Sequence, residues 1–173
     1  MTPGSFTTDF ELEPQAAIHA EEMFAILSDP ALYEYENEPP PSVDWLRARF
    51  ERLESRLSAD GTEQWLNWVI RLANGELAGY VQATVRADGS AAIAYVLASR
   101  CWGRGLASRA VQAMMRELME HHQVRRFSAV FKRENKRSMR LLERLGFALA
   151  SPQQQAREDV EPDEWLMEWS SPA

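Results

Sequence analysis

The sequence predicts one α/β (mixed α+β) layer domain over residues 1–173. Its central sheet should mix antiparallel and parallel pairing across six to seven strands, flanked by about four helices. Three observations predict it. Alternating apolar segments flank an Asn74-Gly75 turn, as in a hairpin. At Leu106 the apolar period changes from about two to about 3.6, so helices follow the strands. No internal repeat or low-complexity segment divides the chain, and its length suits one domain with a proper core.

The elements follow in order. Thr7 to Leu12 reads as a short strand, then a helix runs from about Pro14 to Leu27. Pro14 suits a first helical position, and Ile18, Phe24, Ala25 and Leu27 supply an apolar face. Ser28 to Pro41 is a loop, broken by Pro30 and by Pro39-Pro40-Pro41. A second helix starts at Ser42 or Asp44 and repeats Trp45, Leu46, Phe50, Leu53 and Leu57 at helical spacing. Trp65–Leu72 and Leu77–Val85 form the hairpin, and Ala91–Leu97 adds a third strand after the turn at Arg86–Ser90. Leu106, Ala107, Ala110, Val111, Met114, Met115 and Leu118 describe a helix to about His121. Phe127–Phe131 is a strand, and Asn135–Leu145 a helix stopped by Gly146. Leu166–Trp169 closes the sheet after a polar excursion from Ser151 to Pro162.

Hydrophobic residues make up 45% and charged ones 26%, the balance of a folded soluble chain rather than a disordered one. No apolar run reaches the roughly 20 residues that span a bilayer, so no membrane partner is expected. Met1 to Phe10 lacks the features of a signal peptide, and the single Cys101 excludes an internal disulfide, so a cytoplasmic protein is expected. The net charge of −7 argues against a general nucleic-acid binder. Its distribution is uneven. Residues 1–64 carry fourteen acids against Arg47, Arg49, Arg52 and Arg56, whereas residues 100–147 carry twelve bases against four acids. One half therefore suits a cation and the other a polyanion, unless both are merely solvated helix faces.

The sharpest local signal is Arg100-Cys101-Trp102-Gly103-Arg104-Gly105-Leu106-Ala107, between a strand and a helix. Glycines there let backbone N–H groups turn outward, and the dipole of the following helix adds positive potential. Arg100 and Arg104 bring charge to where a diphosphate would lie. The plainer reading is a tight turn that starts a helix. A Rossmann fingerprint is not met, because Ser108 stands where its third glycine or alanine belongs. A P-loop is not met either, because Gly-Lys-Ser/Thr is absent.

With Asn135, Ser138, Leu142, Glu143, Leu145, Gly146 and Phe147 as a second motif, the sequence resembles the GNAT N-acetyltransferases, in particular their RimJ/RimL-like branch. The family's Arg/Gln-x-x-Gly-x-Gly/Ala loop is matched by Arg100, Gly103 and Gly105, and the branch's Trp-Gly-x-Gly-x-Ala by Trp102, Gly103, Gly105 and Ala107. The resemblance covers nearly the whole chain. It implies an acetyl-CoA-dependent transfer to a primary amine, with acetyl-CoA and the amine as partners and no metal. The strand Tyr95-Val96-Leu97 would diverge from its neighbour and bind the pantetheine arm. Arg100, Gly103, Arg104, Gly105, Leu106 and Ala107 would hold the pyrophosphate. Asn135 would bond the pantetheine and Ser138 would lie near the thioester sulfur. Many relatives carry a tyrosine acid late in this helix; Leu141-Leu142 stands there instead, leaving Ser138 as the substitute. Asn135 can equally be only a helix cap, and Ser138 an ordinary first-turn residue. Arg109, where many relatives carry glutamate, either strengthens phosphate binding or faces solvent.

The attacking amine must lose its proton, and Glu34, Glu36 and Glu38 are the natural carboxylates, with Glu36 and Glu38 the catalytic candidates. Three acids so close should raise one another's pKa and attract a cationic amine. They also fit a plain acidic loop. Tyr33, Tyr35 and Trp45 could wall the site or belong to the core. No histidine lies near Cys101 in sequence, so a Cys–His nucleophile is unsupported, and no cluster has metal-ligand spacing. The resemblance names a protein N-terminal α-amine as acceptor. An antibiotic, amino acid or polyamine is the alternative, and a CoA-binding sensor without turnover is the alternative of another class. A homodimer is left open as the assembly.

Overall fold

The structure, a computed structural model, describes residues 9–172. Seven strands form one mixed sheet: β1 (Phe10–Pro14), β2 (Gln64–Leu72), β3 (Leu77–Val85), β4 (Ser90–Leu97), β5 (Arg126–Lys132), β6 (Ala148–Leu149) and β7 (Glu164–Ser170). Their spatial order is β1-β2-β3-β4-β5-β7-β6. The helices are α1 (Ala20–Leu27), α2 (Val43–Leu53), α3 (Leu106–His121), α4 (Lys136–Arg144) and α5 (Pro152–Arg157).

Sidedness follows from the alternation of side chains along each strand. Val69, Leu77, Tyr80 and Val96 pack against Ala20, Met23 and Leu27 of α1 and Leu46 and Phe50 of α2. The neighbouring positions Trp68, Ile70, Val81, Ala83, Ile93 and Leu97 pack into the larger core with Ala110, Val111, Met114 and Leu118 of α3 and Leu141 and Leu142 of α4. Gly79 makes one close approach between strands possible. At its φ of +148°, a Cβ there would lie 2.1 Å from the Val96 carbonyl oxygen across the β3–β4 ladder.

The pairing that matters most for the site is incomplete. β4 and β5 run parallel, but only Ser90–Ala92 pairs with Arg126–Ser128. Beyond Ala92 the two strands part, while β5 keeps full antiparallel pairing with β7 on its other side. The rest of β4, Ile93 to Leu97, therefore presents its backbone to a gap within the sheet. This is the divergence expected at Tyr95-Val96-Leu97.

Three expectations are corrected. Pro14 does not begin a helix but ends β1, opposite Trp68. Lacking an N–H, it fits the last position of an edge strand as well as the first of a helix. Helical structure starts later, with a 3₁₀ turn at Ala17–His19, and Ile18 on that turn is 85% exposed rather than in the core. The first two residues of the expected strand, Thr7 and Thr8, lie outside the described residues. Finally, the polar stretch after Ser151 holds α5, capped by the Ser151 hydroxyl accepting from Gln154 N (3.2 Å), and the two-residue β6 precedes it. α5 buries no residue, so no apolar period could announce it.

Candidate active site

A cleft of about 360 Å³ opens where β4 leaves β5. Its floor is Tyr95, Val96 and Leu97 of β4, and one wall is Cys101, Trp102, Gly103 and Gly105 with Leu106, Ala107 and Ser108 at the start of α3. The facing wall is α4 and its cap, with Asn135, Arg137, Ser138, Arg140, Leu141 and Arg144. Ala31, Leu32 and Tyr35, from the loop between α1 and α2, close one end.

The loop before α3 has the properties of an anion cradle. Gly103 and Gly105 sit at φ +79° and +74°, where side chains are disfavoured. A Cβ on either would meet nothing within 4 Å, so the backbone borders open space. Gly105 is the N-cap of α3 and supplies no side-chain cap, in contrast to Ser42 of α2, Asn135 of α4 and Ser151 of α5. The first N–H groups of a helix lack partners within it, and the residues that start α3, Gly105 to Ser108, border the cleft. This fits a diphosphate.

Most residues named from sequence come together here. Tyr95, Val96, Leu97, Gly103, Gly105, Leu106, Ala107, Asn135 and Ser138 all line the cleft. Arg100 and Arg104 do not. The Arg100 guanidinium donates to the Leu77 carbonyl (3.0 Å) and lies 3.7 Å from Glu76, so it braces the start of β3. Arg104 is exposed on the loop. The cleft's guanidinium groups come instead from Arg137, Arg140 and Arg144 of α4. Their spacing of three and four is the readable signal, since it puts all three on one helix face. Arg137 stacks 3.6 Å above the Trp102 ring and lies 3.8 Å from Glu34. The Trp102 indole N–H in turn donates to the Leu97 carbonyl (2.9 Å), fixing the loop to the end of β4.

Asn135 does cap α4, its Oδ1 accepting from Ser138 N (3.2 Å). That use leaves the amide nitrogen as the group a ligand could take. On the cleft floor the Tyr95 hydroxyl donates to Ser138 Oγ (3.0 Å), a pairing that no sequence spacing announces. Burial pushes the Tyr95 phenol up to about 12, against a small opposing effect of the Ser138 hydrogen bond.

The three loop glutamates go separate ways. Glu34 faces Arg137, and Glu38 is exposed. Glu36 is half-buried, and its carboxyl is raised first by that burial and then by Glu164 and Asp163, with Lys132 opposing. The perturbing acids thus come from β7 and its approach, not from Glu34 and Glu38 as the spacing had implied. Neither Glu36 nor Glu38 lines the cleft. Of the candidate aromatic walls, only Tyr35 lines it. The Tyr33 hydroxyl is bonded to the Leu27 carbonyl (2.5 Å), and Trp45 is exposed beneath Arg49. Among the described residues no group of three or more His, Cys, Asp or Glu side chains could hold a metal ion, and no helix is long and apolar enough to cross a membrane.

The family profile of the acetyltransferase (GNAT) domain matches residues 10–148. No curated protein matches the chain in sequence. Among solved structures, RimL, a ribosomal L7/L12 α-N-protein acetyltransferase in complex with coenzyme A, is similar with a TM-score of 0.78 at 20% identity over 97% of each chain. A GNAT-family acetyltransferase from Bacillus anthracis has a TM-score of 0.74 at 16% identity, over 95% of this chain and 96% of the other. A chimera of the spermidine N-acetyltransferase SpeG from Vibrio cholerae and hSSAT has 0.75 at 18%, over 93% and 95%. The split between β4 and β5, the uncapped start of α3 and a profile spanning most of the chain agree: this protein belongs to the GNAT acetyltransferases.

Proposed function

We propose that residues 1–173 act as one cytoplasmic domain that transfers the acetyl group of acetyl-CoA to a protein N-terminal α-amine, in the manner of the RimJ/RimL-like branch. Acetyl-CoA supplies the acyl group already activated as a thioester. The observation that carries the reading is the split sheet edge at Tyr95–Leu97 beside the uncapped N-terminus of α3. The β4 backbone would hold the pantetheine amides as an added strand does. Gly103, Gly105, Leu106 and Ala107 would bind the pyrophosphate, helped by Arg137, Arg140 and Arg144, and the Asn135 amide would donate to the arm. Ser138 would lie at the sulfur.

Transfer is direct. The amine nitrogen forms its bond to the acyl carbon, the carbon–sulfur bond breaks, and its electron pair stays on sulfur. Glu36 is the proposed base, working through water, because burial and Glu164 make its carboxylate more proton-seeking than an exposed one. The Glu36, Asp163 and Glu164 group also favours a cationic acceptor, which keeps a polyamine as the second reading.

Calorimetry with coenzyme A and acetyl-CoA tests the donor half. Thiol release with short peptides bearing free N-termini, set against spermidine, tests the acceptor half. Release with peptides and not with spermidine is expected. Tight binding of coenzyme A with no release on any amine would favour a sensor, and no binding at all would overturn the reading.

A further inference from the structure

We infer that Tyr95 is a positioning residue: its hydroxyl orients that of Ser138 so that the serine hydrogen points at the sulfur from which the acetyl group leaves. The inference rests on the acetyl-CoA reading above and deepens it.

The geometry argues as follows. The Ser138 backbone is fixed by the Asn135 cap at the start of α4. Its side chain still has a rotating hydroxyl, which in a helix often turns back to a carbonyl one turn earlier. Here the Tyr95 hydroxyl donates to Ser138 Oγ at 3.0 Å. With one lone pair of that oxygen engaged, the serine hydrogen must point away from the ring. Both residues line the same cleft, which leaves the ligand space open to that hydrogen. Tyr95 stands on β4 and packs against the larger core, which holds its ring in place.

The donating hydroxyl also keeps its hydrogen. Burial keeps the phenol protonated well beyond neutral pH, so it remains a donor throughout the working range. The same fact decides how the pair acts. A thiol of ordinary pKa, about 8.5, is a far stronger acid than either hydroxyl, so moving a proton from phenol or serine to the departing thiolate is uphill. The pair therefore stabilises charge on sulfur through a hydrogen bond and gives up no proton. The proton lost by the amine leaves through the base, and the thiolate leaves as it is. The position that holds leucine in α4 thus needs no acid.

The test titrates the thiol of coenzyme A bound to saturation, followed by thiolate ultraviolet absorbance, in wild type, Tyr95→Phe, Ser138→Ala and the double variant. A charge-assisted hydrogen bond lowers the bound thiol's pKa, so each single variant should raise it by roughly one pH unit. The double variant should raise it no further. Acetyl transfer to a probe peptide with a free N-terminus should fall in the same pattern, about tenfold in kcat, while the affinity for coenzyme A changes by less than about twofold. A Tyr95→Phe protein whose thiol titrates as in wild type, while Ser138→Ala shifts it, overturns the inference and leaves the acetyltransferase reading standing. Additive effects in the double variant overturn it as well. Failure of all four proteins to bind coenzyme A overturns both. Thermal midpoints within a few degrees of wild type show that Tyr95→Phe, which keeps the ring, has left the packing intact.

Discussion

The Ser99 hydroxyl donates to the Asp29 carboxylate at 2.5 Å, joining two loops 70 residues apart in sequence. Asp29 also caps the turn at Pro30–Tyr33 by accepting from Ala31 N (3.0 Å). One carboxylate thus holds the loop that carries Ala31, Leu32 and Tyr35 against the segment leading into the glycine turn. These two bonds hold its pKa below the ordinary 3.8. A depressed acid contributes stability in full above its unfolded value and loses it as pH falls through the folded one. The melting difference between wild type and Asp29→Asn should therefore be constant at neutral pH and vanish as pH drops below 3.8. In transfer assays the variant should slow turnover, because the loop that closes one end of the cleft with Ala31, Leu32 and Tyr35 loses its tether.

Gly105→Glu should abolish coenzyme A binding while leaving a folded protein. The new side chain projects into open space at φ +74°, so its cost is backbone strain of about 1 kcal/mol. A carboxylate at the positive end of α3 would repel the diphosphate, raising Kd by roughly 100-fold or more. Calorimetry together with a melting curve checks both halves. An unchanged Kd would mean that the glycine turn is not the cradle.

Glycines with positive φ should differ sharply in what an alanine costs. Gly79→Ala sets a methyl 2.1 Å from the Val96 carbonyl oxygen, with backbone on every near side, so β3 and β4 must separate. Gly75→Ala, at φ +90° in the β2–β3 turn, meets nothing within 4 Å. Urea unfolding should show a loss of about 3 kcal/mol or more for the first and about 1 kcal/mol for the second. Equal losses would contradict the close approach of β3 and β4.

The contrast between Arg100 and the α4 arginines is open to the same kind of test. Arg140→Gln and Arg144→Gln should each raise the Kd for coenzyme A several-fold, less at high salt, where exposed charge pairs are screened. Arg100→Gln should leave it within about twofold, because its guanidinium is spent on the Leu77 carbonyl, Glu76 and Cys101 Sγ and does not line the cleft. A large effect at Arg100 would show that the side chain swings into the cleft when ligand binds.

The case of Arg100 also shows where sequence reasoning reached its limit. The glycine turn, the strand at Tyr95–Leu97 and the Asn135 cap were legible, because each depends on backbone conformation and local spacing. The same is true of α3, whose apolar period is unbroken from Leu106 to Leu118. Where a long flexible side chain points is not local. Arg100 follows the carbonyl at the start of β3, and nothing near it in sequence encodes that partner. The pairing of Tyr95 with Ser138 is hidden for the same reason, being set by how α4 docks on β4 across 43 residues. Pro14 misled because proline fits both the start of a helix and the end of an edge strand, and only the pairing with β2 decides between them.

Glu36 gives two pH effects of opposite kinds from one carboxyl. Its folded pKa lies above the ordinary 4.5, mainly because burial shields it from water and then because Glu164 stands near. As the proposed base it would work only when ionised, so kcat/KM should fall as pH drops through this raised value. The acidic limb should therefore lie above 4.5, and Glu36→Gln should remove it along with most of the rate. Stability runs the other way. A carboxyl with a raised folded pKa favours the fold while protonated, and that contribution is lost as pH rises through the raised value. Glu36→Gln, neutral at every pH, should accordingly melt higher than wild type at pH 7 and lose that advantage near pH 4, where wild type is protonated too. A variant that is slower yet more stable at neutral pH is what a strained base predicts. If Glu36→Gln proves neutral in rate and melts as wild type does at both pH values, Glu36 is only part of an acidic loop, and the base must be sought among its neighbours Asp163 and Glu164.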